Sequence, residues 1–236
     1  MIPLARIENG RESWDPGVTV ARHRHAAAYA AIVLSGGYEE CGSRGRFAVL
    51  PGDVLLHGLY DAHLNRFAAR GADILNLALP PSAFSGVSAG RVADADVIAR
   101  MAETDVEAAV AELTVQLKAL PADAGDWPSL LASDLLRDPR LRLGAWAAAH
   151  GLAPATVSRG FHKMFRVSPA TFRAEARAQR ALTRIACQTQ PLAAIAVETG
   201  FADQAHLSRA TKALTGAPPA RWRRSNPFKI NRTRLR

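Results

Sequence analysis

Cysteine is nearly missing from this chain. Cys41 and Cys187 are the only two in 236 residues, which excludes a disulfide framework and a cysteine-rich zinc site. Long apolar runs are missing too. The longest uncharged stretch near the start, residues 26–38, has 13 residues and contains two glycines, too short to span a bilayer. There is no glycine-rich phosphate loop and no Gly-x-Ser-x-Gly nucleophile motif. The opening Met1-Ile2-Pro3-Leu4-Ala5-Arg6 lacks a basic segment leading into an apolar one, so the expectation is a cytoplasmic protein with no signal peptide and no membrane partner.

Acidic residues are scarce in one half only. The formal net charge of +9 hides a split. Residues 1–136 hold 11 Lys/Arg against 17 Asp/Glu, a net of −6. Residues 137–236 hold 19 against 4, a net of +15. A chain acidic in front and strongly basic behind has two jobs, and the basic one points to a polyanion. The hydrophobic fraction of 48% is enough to bury a core.

Residues 1–80 read as β. Short apolar runs (Ala30–Leu34, Phe47–Leu50, Val54–Leu56, Ile74–Leu79) are separated by Ser35-Gly36-Gly37 and Pro51-Gly52-Asp53, the pattern of a small barrel or sandwich. From residue 92 the period changes. Val106, Val110, Leu113, Leu117 and Leu120 recur at intervals of three and four, one apolar helical face. Thr104 to Glu107 has capping-box spacing for its start. Val97, Ile98 and Met101 suggest a preceding helix. The stripe either covers the barrel, pairs with a second subunit, or does both. Residues 121–126, with Pro121, Gly125 and two aspartates, read as a linker. Trp127 to about Arg224 reads as helices with brief turns, and residues 226–236 as a basic tail.

The basic half contains a weak repeat. Ala147-x3-Gly151-Leu152 is followed by Val157-Ser158-Arg159; Ala196-x3-Gly200-Phe201 is followed by Leu207-Ser208-Arg209. In each copy the alanine lets two helices approach and the glycine closes the first. The second helix has an apolar inner face (Val157, Phe161, Phe165; Leu207, Leu214) and a polar outer one carrying an arginine, the construction of a helix-turn-helix unit. Asp203 is placed to cap the helix from Gln204 to Leu214. Ser168-Pro169 opens a helix running to about Cys187 that joins the two units.

The segment from about Leu131 to Arg224 resembles the DNA-binding domain of AraC/XylS-type bacterial transcription regulators. The match rests on Gly151-Leu152-Ala153-Pro154, Ser158-Arg159-Gly160-Phe161, Ser168-Pro169, the run Thr199-Gly200-Phe201-Ala202-Asp203-Gln204-Ala205-His206-Leu207-Ser208-Arg209, and Thr215-Gly216 with Pro218, Trp222 and Arg223. It departs from the pattern at Thr211, Arg166 and Arg184. The resemblance implies base reading by Ala155, Ser158 and Arg159 in the first unit, and by Gln204, Ala205, His206 and Arg209 in the second. Arginine binds guanine bidentately and glutamine binds adenine; Thr156, Lys163, Arg173, Ser208 and Lys212 suit phosphates.

The acidic half carries Gly17-x5-His23-Arg24-His25 and later Gly36, then Pro51-Gly52-Asp53 followed by His57, His63 and Asn65. His23 and His25 share one strand face. This resembles the two halves of a cupin barrel motif, and a cupin-like barrel is the usual sensor of AraC-type regulators. The glutamate that follows the histidine pair in metal-binding cupins is absent: Tyr29 and Ala30 stand there. His23, His25, Tyr29, His57 and His63 are therefore read as an effector pocket without metal; the alternatives are histidines that are only hydrogen-bonded or exposed, and a site in which His23, His25 and His63 hold a divalent metal, since imidazole suits zinc, nickel, copper and iron. Cys41 reads as an exposed thiol in a turn.

The fold expected is α+β and multidomain: a cupin-like sensor barrel (1–90), a covering or dimerisation segment (91–121), a linker (122–128), an all-α double helix-turn-helix domain (129–225) and a tail (226–236). The function expected is that of a transcription regulator, not an enzyme, working as an effector-responsive activator. Its expected partners are promoter DNA, a small-molecule effector, RNA polymerase and a second copy of the chain. The alternative is a cupin-type metal-dependent enzyme with a basic DNA-binding appendage.

Overall fold

The computed structural model describes residues 4–81, 83–84, 86–120, 125–138 and 140–225. Strands come first: β1 (Leu4–Ala5), β2 (Gly10–Trp14), β3 (Thr19–His25), β4 (Ala28–Gly42), β5 (Gly45–Val49), β6 (Asp53–His57), β7 (Ala62–Leu79) and β8 (Ala89–Arg91). Helices α1 (Ala95–Ala102) and α2 (Val106–Gln116) follow, then β9 (Lys118–Ala119). The rest is helical: α3 (Trp127–Arg137), α4 (Leu143–Ala149), α5 (Pro154–Phe165), α6 (Pro169–Cys187), α7 (Leu192–Glu198), α8 (Gln204–Thr215) and α9 (Pro219–Ser225). A sheet region thus precedes an all-α region, the class expected.

The described strands form one sheet in the order β1-β3-β7-β4-β6-β8-β9, with β2 on β7 and β5 on β4. Its spine is the antiparallel pair β4 and β7, in register from Ala28 opposite Leu79 to Gly42 opposite His63. Both strands bend at one place. The register shifts on either side of Ser35-Gly36, Gly36 and Gly71 have φ of 69° and 66°, and a Cβ on Gly36 would fall on the Gly71 carbonyl oxygen. Only glycine permits that approach. The sequence pattern suggested a turn between two strands at Ser35-Gly36-Gly37; the structure has one 15-residue strand bent there.

The bend folds the sheet onto itself, and side chains alternate between two environments. Tyr29, Val33, Tyr38, Phe47, Leu55, Phe67 and Ile74 pack inside. Ala28, Ala30 and Ile32 face out, against Ile98, Ala109 and Leu113 of the two helices. The buried part of the apolar stripe therefore lies on the sheet. Two details correct the sequence reading. The cap of α2 is Asp105, whose carboxylate accepts from the Ala108 N–H, not Thr104. And the helix stops at Gln116: Leu117, its C-cap, still packs with the Leu113 cluster, while Leu120 packs inside the sheet, beyond Lys118 and Ala119, which pair with Arg91 and Gly90.

Of the expected linker, residues 121–124 lie outside the described residues, as does the tail 226–236; Trp127 and Pro128 already belong to α3. Beyond it, α4–α5 and α7–α8 are the two helix pairs of the repeat, and α6 joins them over 19 residues, capped by Ser168 as its sequence predicts. Phe161, Phe165 and Phe172 are fully buried with ring centroids 4.5–5.4 Å apart. Each contributes about 1.5–3 kcal/mol relative to exposure. The two regions share their cores. Ala181, Leu182 and Ile185 of α6 share a cluster with Leu56 and Leu77 of the sheet and Leu59 of the loop between β6 and β7, and Leu64 and Cys41 pack with the phenylalanines. Cys41 is thus buried at the end of β4, not exposed in a turn. Among the described residues no helix is long and apolar enough to cross a membrane.

Candidate nucleic-acid interface and the histidine pocket behind it

The second helix of each pair turns its apolar residues inward: Val157, Phe161 and Phe165 in α5, Leu207 and Leu214 in α8. The opposite face carries what the repeat predicted. Ala155, Thr156, Ser158, Arg159 and Lys163 are exposed on α5, and Gln204, Ala205, Arg209 and Lys212 on α8. His206 and Ser208 are half-buried. The His206 ring packs edge-on against Phe201, centroids 5.1 Å apart, so it faces the turn of its own unit. Arg173 does not stand free for a phosphate: its guanidinium donates to the Leu141 carbonyl at 2.9 Å.

Electrostatics favour an anion on this face. All four acids of the last hundred residues already have partners. Asp138 accepts from the Arg140 N–H, Glu175 pairs with Arg22 and Arg24, Glu198 with Arg184, and Asp203 caps α8 through the His206 N–H. Among the described residues, no ion pair neutralises Arg159, Lys163, Arg209 or Lys212. The three departures from the family pattern also find places. Thr211 is buried and donates its hydroxyl to Leu207 O at 2.9 Å. Arg184 holds Glu198. Arg166 sits in the left-handed region at φ 59°, which is why glycine is common there.

The second candidate site lies inside the folded sheet. Strand register builds it: His23 stands opposite His63, Tyr29 opposite His57, and Glu40 opposite Asn65, two residues along the same face from His63. The five residues predicted for the pocket all meet here. His23 Nε2 lies 3.1 Å from His25 Nε2, and Tyr29 stacks on His57 with centroids 4.3 Å apart. The Tyr29 hydroxyl is 3.5 Å from His63 Nε2. They line a cavity of about 310 Å³ that also takes in Glu12, Trp14 and Glu40.

Burial sets the charge state of this pocket. It lowers His25 to about 4, helped by neighbouring His23. It holds His57 and His63 well below the ordinary histidine value, each further lowered by other pocket histidines. It pushes the Glu40 carboxyl well up, with Asp61 adding to the effect. These histidines are therefore neutral near pH 7, the form in which imidazole offers a lone pair.

The pocket is wired to the helical region. On β3, His23 and His25 point inward while the alternate residues, Arg22 and Arg24, both reach Glu175 on α6. Arg22 also donates to Phe165 O, the last residue of α5, at 3.2 Å. One helical turn beyond Glu175, the Gln179 amide donates to Tyr60 O at 2.7 Å and to Ser43 Oγ at 3.0 Å. Tyr60 lies in the loop between His57 and His63, and its N–H donates to His25 O. Sequence reasoning missed Glu40, Glu175 and Gln179. The scarcity of acids behind residue 136 was a signal for Glu175; nothing in the pattern marked the other two.

The two helix pairs are built as helix-turn-helix units whose outer faces carry basic side chains that no ion pair neutralises among the described residues. Comparison with known proteins agrees. Residues 146–225 match the family described as a helix-turn-helix domain. Ninety-nine residues are 29% identical to the arabinose operon regulatory protein of Escherichia coli strain K12, covering 42% of this chain and 34% of that one. The Salmonella typhimurium counterpart is 30% identical over 91 residues, 39% of this chain and 32% of that one. The chain thus spans about a third of the length of these curated relatives. Among solved structures, the C-terminal domain of AraT from Geobacillus stearothermophilus is similar over 41% of this chain and 83% of its own, at 21% identity and TM-score 0.38. ToxT of Vibrio cholerae O395 is similar over 92% and 96%, at 10% identity and TM-score 0.40. The C-terminal region thus matches a helix-turn-helix domain and is similar to part of the arabinose operon regulatory proteins.

Proposed function

We propose that the chain is a sequence-specific, effector-responsive transcription regulator rather than an enzyme. In this reading α5 and α8 enter the major groove of promoter DNA, and Arg159 and Arg209 read bases there. Lys163 and Lys212 bind phosphates, and the histidine pocket receives the effector. The observation that carries it is the pair of recognition helices, each with an exposed arginine on its outer face, in a region whose acids are all engaged. RNA polymerase and a second copy of the chain are proposed as further partners. The buried stripe of α1 and α2 lies on the sheet, so a dimer would use other surface. A cytoplasmic setting follows from the same reading.

The test is a fluorescence-anisotropy titration of the full chain against DNA upstream of its own and neighbouring genes, with random DNA alongside, at several salt concentrations. The expected result is one fragment bound about a thousandfold or more tighter than random DNA. Arg159→Ala or Arg209→Ala should each remove about 1–3 kcal/mol of that preference. Equal binding to every fragment, collapsing with salt alone, would overturn the reading.

A further inference from the structure

A second cavity, of about 1570 Å³, lies between the folded sheet and the helices α6, α7 and α8. It has room for a small ligand and more. Leu56, Leu79, Phe84 and Val87 give it an apolar lining on the side of the sheet, and α6 contributes Arg177, Arg180 and Arg184. His57 lines this cleft and the histidine pocket alike, so the two cavities share a wall there.

The cleft carries more positive charge than its own acids balance. Its described lining holds Arg44, Arg140, Arg177, Arg180 and Arg184 against Asp61, Asp138 and Glu198. Asp61 is taken by Arg44 at 2.6 Å, Glu198 by Arg184, and Asp138 accepts from the Arg140 N–H. Arg177 and Arg180 are left without an ion pair among the described residues. They stand three positions apart on α6, where side chains are neighbours and like charges repel. Each spends one nitrogen on a backbone carbonyl: Arg177 Nη1 donates to Gly200 O and Arg180 Nη1 to Leu136 O, both at 3.0 Å. A guanidinium has five N–H groups, so donors are left over, and Arg177 Nε is buried with no partner. Desolvation, with Arg177 and Arg184 adding to it, pushes Arg180 below its ordinary value. Packing alone gives no reason to crowd unpaired guanidinium groups at a cleft. An anion relieves both the repulsion and the unmet donors.

We propose that this cleft is a ligand site separate from the histidine pocket, taking a small organic dianion with an apolar body, a phosphate monoester or a dicarboxylate. Two unpaired guanidinium groups side by side match two negative charges, and the planar fork of arginine suits either head group. The apolar lining receives the body. Gly200 and Phe201 line the cleft from the turn of the second helix-turn-helix unit, and His206 lines it from α8. A dianion on Arg177 and Arg180 therefore sits where the sheet, α6 and that turn meet. As a second effector site the cleft rests on the regulator reading; as a binding site it stands on these side chains alone.

The test is isothermal titration calorimetry of the full chain at pH 8 and physiological ionic strength. Phenyl phosphate, phthalate and benzoate share one ring and differ in head group: the first two are dianions, the third a monoanion. Inorganic phosphate lacks the ring. The expected result is one phenyl phosphate or phthalate per chain with submillimolar affinity, and the tighter of the two names the head group. Benzoate should bind at least about tenfold more weakly for want of one charged hydrogen-bonding group, and inorganic phosphate likewise for want of apolar contact. Arg177→Gln and Arg180→Gln should each weaken dianion binding by about tenfold. Circular dichroism checks that each variant is folded; if Arg177→Gln, which also loses its Gly200 contact, is not, the exposed Arg180 decides through its own variant. Absence of dianion binding at millimolar concentration, equal binding of benzoate or inorganic phosphate, or a folded Arg180→Gln that binds like wild type overturns the proposal. So does loss of binding in Arg209→Ala, which would place the anion on the outer face of α8. The DNA titration on the same samples separates the two readings. Dianion binding without sequence preference keeps the site and removes the regulator; sequence preference without dianion binding does the reverse.

Discussion

Arg22 Nη2 lies 2.6 Å from Glu175 Oε2, with both side chains largely buried. This ion pair ties the strand that carries two pocket histidines to the helix that joins the two helix-turn-helix units. Arg24 reaches the other oxygen of the same carboxylate at 3.2 Å, so one glutamate balances two guanidinium groups. A regulator needs a coupling free energy between its sites of about 1–3 kcal/mol, and a contact of this kind is strong enough to carry it. In the proposed regulator, a shift of β3 by a bound ligand would act on α6 through Glu175, and on the end of α5 through Arg22.

Glu175→Ala leaves two buried arginines without their carboxylate. Breaking a buried pair from one side costs about 3–5 kcal/mol. The expected outcome is a marked fall in melting temperature, with faster amide exchange in β3 and α6 than elsewhere. An unchanged melting curve would show that the contact contributes nothing.

Gly160 sits within α5, where alanine would ordinarily gain about 1 kcal/mol of helix stability. Here a Cβ would stand 2.6 Å from Cη2 of the Trp127 ring. Overpacking costs about 1–3 kcal/mol, so Gly160→Ala is expected to destabilise on balance. Chemical denaturation of the variant gives the sign directly, and a gain would mean that Trp127 swings aside.

Arg166 ends α5 in the left-handed region. That conformation costs a side-chain-bearing residue about 1–2 kcal/mol, partly offset by the greater freedom glycine loses on folding. Arg166→Gly is expected to stabilise by about 0.5–1 kcal/mol in the same denaturation experiment.

The two thiols differ in reach. Burial pushes Cys41 up to about 12, with Glu39 adding to it, so only about one part in ten thousand is thiolate at pH 8, and thiolate is the reactive form. Cys187 is exposed, although partial burial raises it as well. A thiol reagent at pH 8 is expected to label one cysteine per native chain and two after denaturation. Cys187→Ser should abolish the native signal; labelling of Cys41 in the native protein would contradict its burial.

Much of this protein is local and therefore legible in the sequence. The helix-turn-helix repeat declares itself through Ala147, Gly151, Ala196 and Gly200, because helix closure and close approach depend on single residues a few positions apart. Ser168 and Asp203 cap the helices they precede for the same reason. The exposed faces of α5 and α8 follow from helical periodicity, and His23 and His25 share a face because strands alternate. What depends on chain segments far apart was settled only by tertiary packing. Thr104 and Asp105 are both competent caps; in the fold Asp105 caps α2, while the Thr104 hydroxyl donates back to the Met101 carbonyl of α1. Leu120 keeps helical spacing, but pairing of Lys118 and Ala119 with the edge of β8 carries it to the inner cluster of the sheet. Gly36 bends a strand instead of ending it because Gly71, 35 positions away, bends beside it. Glu40 enters the histidine pocket through its register with Asn65, and Glu175 meets Arg22 across 153 residues. Periodicity fixes which way a side chain points; only the folded chain decides what it meets.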